Sequence, residues 1–315
     1  MLSYIVIKYR VCVMLNRLKL VKTPREFFGW ILYRVNPSWM SDRLRLEMKY
    51  LYRMREHLDL DHPVTFNEKL QWLKLYDRNP QYTVMVDKYL VKDYITQKLG
   101  AEHVIPTLAV YQSADEIDFE ALPNQFVMKC NHDSHSVKIC TDKSKLNFHA
   151  IREYYRERLK FEAFNVCEEW AYKNVPRRIL VEKYMEDKSG DALMDYKWFC
   201  FDGEPKIMYM SRDASAHPTT DFFDMDFKPL PIKMQDPNSE VLPEKPVQFE
   251  EMKLMARKLS QGIPQVRVDF YVINGQIYFG EFTFYHCGGM QKIKPDEWNV
   301  KMGDMIRLYD STKVE

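Results

Sequence analysis

Residues 266–289, VRVDFYVINGQIYFGEFTFYHCGG, carry Arg267, Asp269 and Glu281 within what reads as two strands and a turn. Alternation puts Val266, Val268, Phe270 and Val272 on one face of the first strand, and Arg267, Asp269 and Tyr271 on the other. On the second strand Glu281 and Thr283 share a face, with Phe282 and Phe284 opposite. A turn at Asn274-Gly275 gives a register that brings Asp269 near Glu281. Two close carboxylates repel unless a cation lies between them. Mg²⁺ suits such a pair, because it takes hard oxygens and is held by one or two carboxylates together with substrate phosphates. The competing reading is a solvated polar face in which Arg267 neutralises the acids. Spacing leaves both open, and the metal reading requires a phosphate site elsewhere in the chain.

Lys129 in QFVMKCNHDSHSVKIC supplies a candidate. A lysine ending an apolar strand, followed by a turn of small and polar residues such as His132 and Ser134, can hold phosphate between its ammonium and turn N–H groups. Lys88 in VDKYLVKDY is a second cation, or else a surface helix lysine. Glu182 ends the strand in ILVEKYM, where its carboxylate can accept from an adenine amino group. Lys197 in MDYKWFCF and Arg212 in YMSRD are charges embedded in apolar strands, and such charges are rarely buried without an anionic partner.

The elements that must position these groups follow from periodicity and turn signals. DRLRLEMKYLYRMREHL has helical spacing, and residues 1–60 read as helical. TFNEKLQWLKLY opens with Thr65 and Glu68 three residues on, a capping box, and Asn79-Pro80 ends that helix. DKYLVKDYITQKLG is a further helix closed by Gly100. Strands are expected in VIPTLAVYQ, QFVMKCNH, SVKIC and RRILVEKYM, with a charged helix around FHAIREYYRERLKFEAF. MDYKWFCFDGEPKIMYMSRD is a hairpin turning at Asp202-Gly203. Residues 214–246 read as loop, FEEMKLMARKLSQG as helix, and NVKMGDMIRLYD as the last helix. Helices lead and hairpins dominate the second half, which is an α+β architecture with mostly antiparallel sheets.

Bulk properties narrow the function. The 315 residues carry a net charge of +1, without the basic excess of a nucleic-acid binder. The six cysteines show no CxxC spacing, so the expectation is reduced thiols, no zinc, and a cytoplasmic setting. Lys8, Arg10, Arg17 and Lys19 interrupt the apolar start, which excludes a spanning helix there and leaves a basic amphipathic helix on a membrane surface or a segment packed on the protein. Asp224-Met225-Asp226 matches the DxD metal motif of sugar-nucleotide glycosyltransferases and equally fits solvated acids in a turn. His217 and His286 sit by turns or strand ends, where exposed histidines are ordinary; His286 also follows the acidic strand and could meet an acceptor.

The order of these groups resembles the ATP-grasp pattern: a lysine, a strand lysine with a mobile loop, a hinge glutamate, then Arg-x-Asp and a later glutamate. More closely, TFNEKLQWLKLYDRNPQYTVMVDKYLVKDYI, FVMKCNHDS, ILVEKYMED, MDYKWFCFDGEPK, VRVDFYVINGQIYFGEFTF and PDEWNVKMGDMIRL resemble the TupA-like ATP-grasp family. That family is associated with teichuronopeptide and capsular-polysaccharide synthesis, and its members are often labelled glycosyltransferases. The resemblance implies two mostly antiparallel α+β subdomains clasping ATP. The implied boundaries are a helical extension at 1–60, an entry part at 61–124, a lid at 125–181 and a metal-bearing subdomain at 182–315. It implies an ADP-forming ligase that makes an acylphosphate, which an amine attacks to give an amide. The implied partners are a small-molecule amine and a glycan or sugar carboxylate such as a uronic acid of a surface polysaccharide, met at the inner face of the membrane.

By the same resemblance Lys88 and Lys129 bind phosphates, and Glu182 with the backbone near Lys183, Tyr184 and Met185 holds adenine. Asp187 or Asp191 contacts ribose; Asp269 and Glu281 bind Mg²⁺, and Arg267 stabilises the transferring phosphoryl. Two departures stand out. The family's loop after the strand lysine is glycine-rich, whereas HDSHSVK has no glycine and puts Asp133 where phosphate is expected. Either His132, His135 and Lys138 compensate, or nucleotide binding is weak and the protein is a non-catalytic relic. Thr283 also stands where the family has an asparagine metal ligand, and its hydroxyl offers the replacing oxygen.

Overall fold

The computed structural model describes residues 40–188, 194–212 and 218–309. The expectations for residues 1–39, Asp191 and His217 lie outside them. The described elements are α1 (Asp42–Met54), α2 (Phe66–Tyr76), α3 (Gln81–Val86), α4 (Val91–Leu99), β1 (Thr107–Tyr111), β2 (Phe126–Cys130), β3 (Lys138–Cys140), α5 (Phe148–Arg158), α6 (Phe164–Cys167), β4 (Ile179–Lys183), β5 (Asp195–Phe201), β6 (Glu204–Arg212), β7 (Thr219–Phe223), β8 (Pro229–Leu230), α7 (Phe249–Ser260), β9 (Gln265–Ile273), β10 (Gln276–Thr283) and α8 (Glu297–Asp304).

Two antiparallel sheets result. The smaller has the order β1-β4-β2-β3 and the larger β10-β9-β5-β6-β7-β8, which is the expected α+β class. Because β1 pairs with β4 through Val110↔Leu180 and Tyr111↔Ile179, the small sheet starts at Thr107, ahead of the boundary expected at 125. The stretch read as loop contains β7 and β8. TTDFF carries little apolar signal at its start, and its strand state comes from pairing with β6 (Met208↔Phe223, Met210↔Asp221).

The larger sheet is covered on both faces. Trp198 and Cys200 face α7, where Trp198 packs on Phe249 with ring centroids 5.0 Å apart. Phe199 and Phe201, one residue out of phase, meet Phe66 of α2 at 5.9 and 6.2 Å. α2 is held at its start by the capping box, since Thr65 Oγ1 accepts from the Glu68 N–H and Glu68 Oε2 from the Thr65 N–H. In the small sheet Phe126, Met128, Cys130, Ile179 and Val181 pack with Tyr155 of α5. Alternation therefore turns Lys129 and Glu182 to the other face, toward the large sheet. Both hairpins turn as read, with positive φ at Asp202 (53°), Gly203 (79°), Asn274 (53°) and Gly275 (83°). Cys130, Cys140, Cys167, Cys200 and Cys287 are free thiols. Among the described residues no helix is long and apolar enough to cross a membrane.

Helix α8 crosses the start of α2 at Gly303. A Cβ there would lie 2.2 Å from Val64 O and 2.8 Å from Thr65 C, and backbone atoms cannot yield as a flexible side chain does. Helix propensity favours alanine by about 1 kcal/mol, but overpacking costs about 1–3 kcal/mol or more. Gly303→Ala is therefore expected to lower the urea midpoint, and an unchanged or raised midpoint would contradict this close crossing.

Candidate active site

A cavity of about 230 Å³ lies between the two sheets. Lys129 and Glu182 come from the small sheet, Lys88 and Lys92 from the turn and start of α4, Ser134 from the loop after β2, and Gly280 and Glu281 from β10. Val104, Ile105, Val137 and Phe279 supply apolar wall. Lys88, Lys129, Ser134, Glu182 and Glu281, nominated from the sequence, thus meet on one surface.

Their connections differ from expectation in two places. Glu182 presents no free carboxylate for an adenine amino group: its Oε2 takes Lys129 Nζ at 2.6 Å and its Oε1 takes Lys92 Nζ at 2.6 Å. Burial opposes its charge, and the two ammoniums hold the carboxyl below its ordinary range. The contact fixes the Lys129 ammonium in place. Lys92 was not singled out from the sequence; its signal was its position four residues after Lys88, one helical turn along. The groups left for a planar ring edge are the backbone N–H and C=O of Tyr184 and Met185, which bond to no described residue. The Lys183 N–H is spent on Pro106 O at 3.0 Å. Asp187 Oδ2 accepts from the Asn274 N–H at 2.6 Å, tying this hinge to the β9–β10 turn.

Asp133 is the second correction. Its carboxylate does not face the cavity but is buried, accepting from Arg158 (Nε at 2.9 Å, and Nη2) and from the Ser136 hydroxyl. Ser136 Oγ also accepts from the Cys130 N–H at 2.7 Å, and Tyr155 Oη donates to Ser136 O at 2.9 Å. The loop is thus pinned by side chains rather than shaped by glycine. What it offers the cavity is the Asp133 carbonyl, which accepts from Lys88 Nζ at 2.7 Å, and Ser134. His132 is 2% exposed, Lys138 lies over the Tyr154 ring at 4.5 Å, and His135 is exposed; none of the three stands on the cavity wall. Breaking a buried ion pair costs about 3–5 kcal/mol, less where one partner is partly solvated as Arg158 is, so Asp133→Asn should destabilise by about 2–3 kcal/mol without tightening nucleotide binding. Tighter nucleotide binding by that variant, read by calorimetry, would return Asp133 to the phosphate site.

Beyond Glu281 lies the polar face of β9. Arg267 forks onto Asp269 (Nε–Oδ1 2.7 Å, Nη2–Oδ2 2.6 Å) and reaches Glu281 Oε1 at 3.2 Å and Thr283 Oγ1 at 2.9 Å. This face is not solvated: Arg267 is 7% and Asp269 2% exposed. A bulge between Phe279 and Phe282 shifts the register and sets Glu281 beside Arg267. Burial opposes the charge on Asp269, but Arg267 and Lys197 keep its carboxyl low. Lys197 bonds Asp195 and lies 3.3 Å from Asp269 Oδ2, so it buttresses the fork. Arg212 does not join the site. It is one residue beyond Ser211 on β6, on the opposite face, and donates to Val241 O at 2.9 Å.

For a divalent ion the hard oxygens on this face are those of Asp269, Glu281 and Thr283. Among the described residues no three His, Cys, Asp or Glu side chains gather as a metal cluster. Two carboxylates still fit Mg²⁺, whose remaining positions go to phosphate and water. Glu281 Oε2 accepts no hydrogen bond from any described residue and lies 4.0 Å from Lys88 Nζ, on the cavity wall.

A second cavity of about 200 Å³ has Arg267 on its wall. His286, unresolved by sequence between a surface role and contact with an acceptor, forms part of its wall. Its Nδ1 is 2.7 Å from Arg267 Nη1. A guanidinium only donates, so Nδ1 accepts and Nε2 carries the hydrogen. Burial, then Arg267, push its pKa down to about 3, and the ring stays neutral. Tyr209 Oη also accepts from Arg267 Nη1, at 3.1 Å. Ser211, Thr220, Gln235, Asp236 and Gln291 line the same cavity, and their side chains bond to no described residue. The Asp224-x-Asp226 pair instead closes the β7–β8 turn, with Asp224 Oδ1 accepting from the N–H groups of Asp226 and Lys228 at 2.9 and 2.8 Å.

No curated protein matches this chain. Among solved structures it is similar to D-alanine–D-alanine ligase from Bacillus anthracis complexed with ATP, at 16% identity and TM-score 0.41, over 64% of this chain and 55% of that one. It is similar also to the Helicobacter pylori D-alanine–D-alanine ligase, at 13% identity and TM-score 0.38, over 76% and 69%. For D-cycloserine synthetase DcsG the values are 14%, 0.38, 72% and 70%. The chain thus spans little more than half the length of the Bacillus anthracis ligase. The model of the TupA-like ATP-grasp family matches residues 68–307, from the capping glutamate of α2 to Arg307 beyond α8, and the protein belongs to that family.

Proposed function

We propose that the protein is an ATP- and Mg²⁺-dependent ligase that joins a polyhydroxylated carboxylate, such as a uronic acid of a surface polysaccharide, to an amine. The observation that carries this reading is that Arg267, on the wall of the second of two unlike cavities, bonds Glu281, on the wall of the first. The first presents ammonium groups and an apolar wall, which suits a nucleotide: Lys88 and Lys129 hold phosphate oxygens, and the Tyr184–Met185 backbone holds the base edge. Mg²⁺, held by Asp269 and Glu281, supplies charge neutralisation for phosphoryl transfer. The second cavity presents two hydroxyls, two amides and a carboxylate beside the Tyr209 and Phe222 rings, a set that matches a sugar's hydroxyl rim and apolar face.

Arg267 orients the acceptor carboxylate and draws charge from the phosphoryl group as it moves. His286 and Tyr209 keep its fork in place. Attack by an amine on the resulting acylphosphate forms the amide and frees phosphate. The test is ADP release in the presence of ATP, Mg²⁺, a mixture of amino acids and either hexuronates or cyclohexanecarboxylate. Release that depends on the hexuronate supports the proposal, and equal release with cyclohexanecarboxylate contradicts the assigned second cavity.

A further inference from the structure

The wall of the second cavity carries a charge with no counterion. Its charged side chains are Arg267 and Asp236. Arg267 is already matched, since its fork grips the Asp269 carboxylate at 2.7 and 2.6 Å. His286 adds no charge, because its Nδ1 accepts from Arg267 and the ring is neutral. Asp236 is the one carboxylate on that wall, and its side chain forms no ion pair or hydrogen bond with any described residue.

The chain holds Asp236 in place without a ligand. Pro237 follows it and biases its backbone away from helix. Pro237 O accepts from the Thr220 N–H at 2.9 Å, and Asn238 Nδ2 donates to Thr220 O at 2.9 Å and to Ile232 O at 3.0 Å. The Ser239 N–H donates to Asp221 Oδ1 at 3.0 Å. This loop is therefore fastened along β7, whereas Arg267 stands on β9, with β5 and β6 between the two strands. Ordinary strand spacing sets β7 and β9 about 14 Å apart. The two charges stand at opposite ends of the cavity, with the Ser211 and Thr220 hydroxyls on its wall.

We infer that the second cavity takes an amino-substituted sugar acid, with its carboxylate on Arg267 and its ammonium on Asp236. This rests on the ligase reading and narrows the acid that reading assigns to the cavity. A sugar hydroxyl would give Asp236 a hydrogen bond; an ammonium gives it a bond between opposite charges, which is stronger. The separation excludes an α-amino acid, whose two charges sit on one carbon, and suits a sugar ring that carries them on opposite sides. Held as an ammonium, that nitrogen has no free electron pair and does not compete with the amine substrate for the activated carboxyl.

Calorimetry with glucuronate, glucosaminuronate and N-acetylglucosaminuronate tests this. Wild-type protein is expected to bind glucosaminuronate about 10-fold or more tighter than glucuronate, and N-acetylation, which removes the charge, to abolish the gain. Asp236→Asn should bring the ratio of the two affinities to about one, and Asp236→Lys should invert it. Asp236 is only partly buried and lies on a loop outside the core, so circular dichroism should show both variants folded. A wild-type ratio near one, or a preference that survives in Asp236→Asn, overturns the ammonium site and leaves the ligase reading standing. Serine bound as tightly as glucosaminuronate overturns it as well. No binding of any of the three sugar acids overturns it together with the sugar-acid reading of the cavity.

Discussion

Glu281→Gln is expected to lower ADP release by about 10³-fold or more, because on the proposed function it removes one of two carboxylates that would hold Mg²⁺. The fold should hardly notice. The Glu281 side chain is 37% exposed, and its bond to Arg267 is a long 3.2 Å, so the stability loss should stay below about 1 kcal/mol. Asp269→Asn should abolish turnover equally and destabilise as well. Asp269 is the buried counterion of both Arg267 and Lys197, and removing one partner of such a group costs about 3–5 kcal/mol. Turnover and urea unfolding measured on both variants separate the two roles. Retained activity in Glu281→Gln would end the metal assignment, and equal stability loss in both would show that Glu281, too, is structural.

The second large effect concerns the ammonium that Glu182 fixes in place. Lys129→Met should weaken ATP binding by about 10–10²-fold, the worth of one charge-assisted hydrogen bond to phosphate. Glu182→Gln should weaken it less, since Lys129 keeps its charge and loses only its anchor. The alternative, a Glu182 that contacts the base itself, predicts the reverse ranking. It also predicts that the Glu182 variant relaxes the preference for ATP over GTP. Calorimetry on the two variants with both nucleotides decides between them.

Much of this site was legible before any coordinates. β9 alternates strictly, so Arg267 and Asp269 had to share a face, and Asn274-Gly275 fixed the hairpin. Lys129 and Glu182 were marked by standing among apolar strand residues. What the sequence left hidden depends on contacts between distant segments. Asp133 read as a misplaced charge because Arg158, its partner, lies on a helix 25 residues later. Glu182 read as a base contact because Lys92 is named only by the packing of α4 against the small sheet. Arg212 looked like its neighbours in the pattern; the two-residue period puts it on the wrong face once Ser211 is seen lining the second cavity. β7 was missed because its strand state comes from β6 rather than from its own residues.

On the proposed function, the cavity between the two sheets is an ATP site completed by a divalent ion. Titrating the Mg²⁺ complex of a non-hydrolysable ATP analogue into the protein, with UDP-glucose in parallel, tests it most directly. The account predicts saturable one-site binding of the ATP analogue, weakened by Lys129→Met and by chelating Mg²⁺, and no binding of UDP-glucose. Binding of UDP-glucose by a protein that refuses the ATP analogue would contradict it.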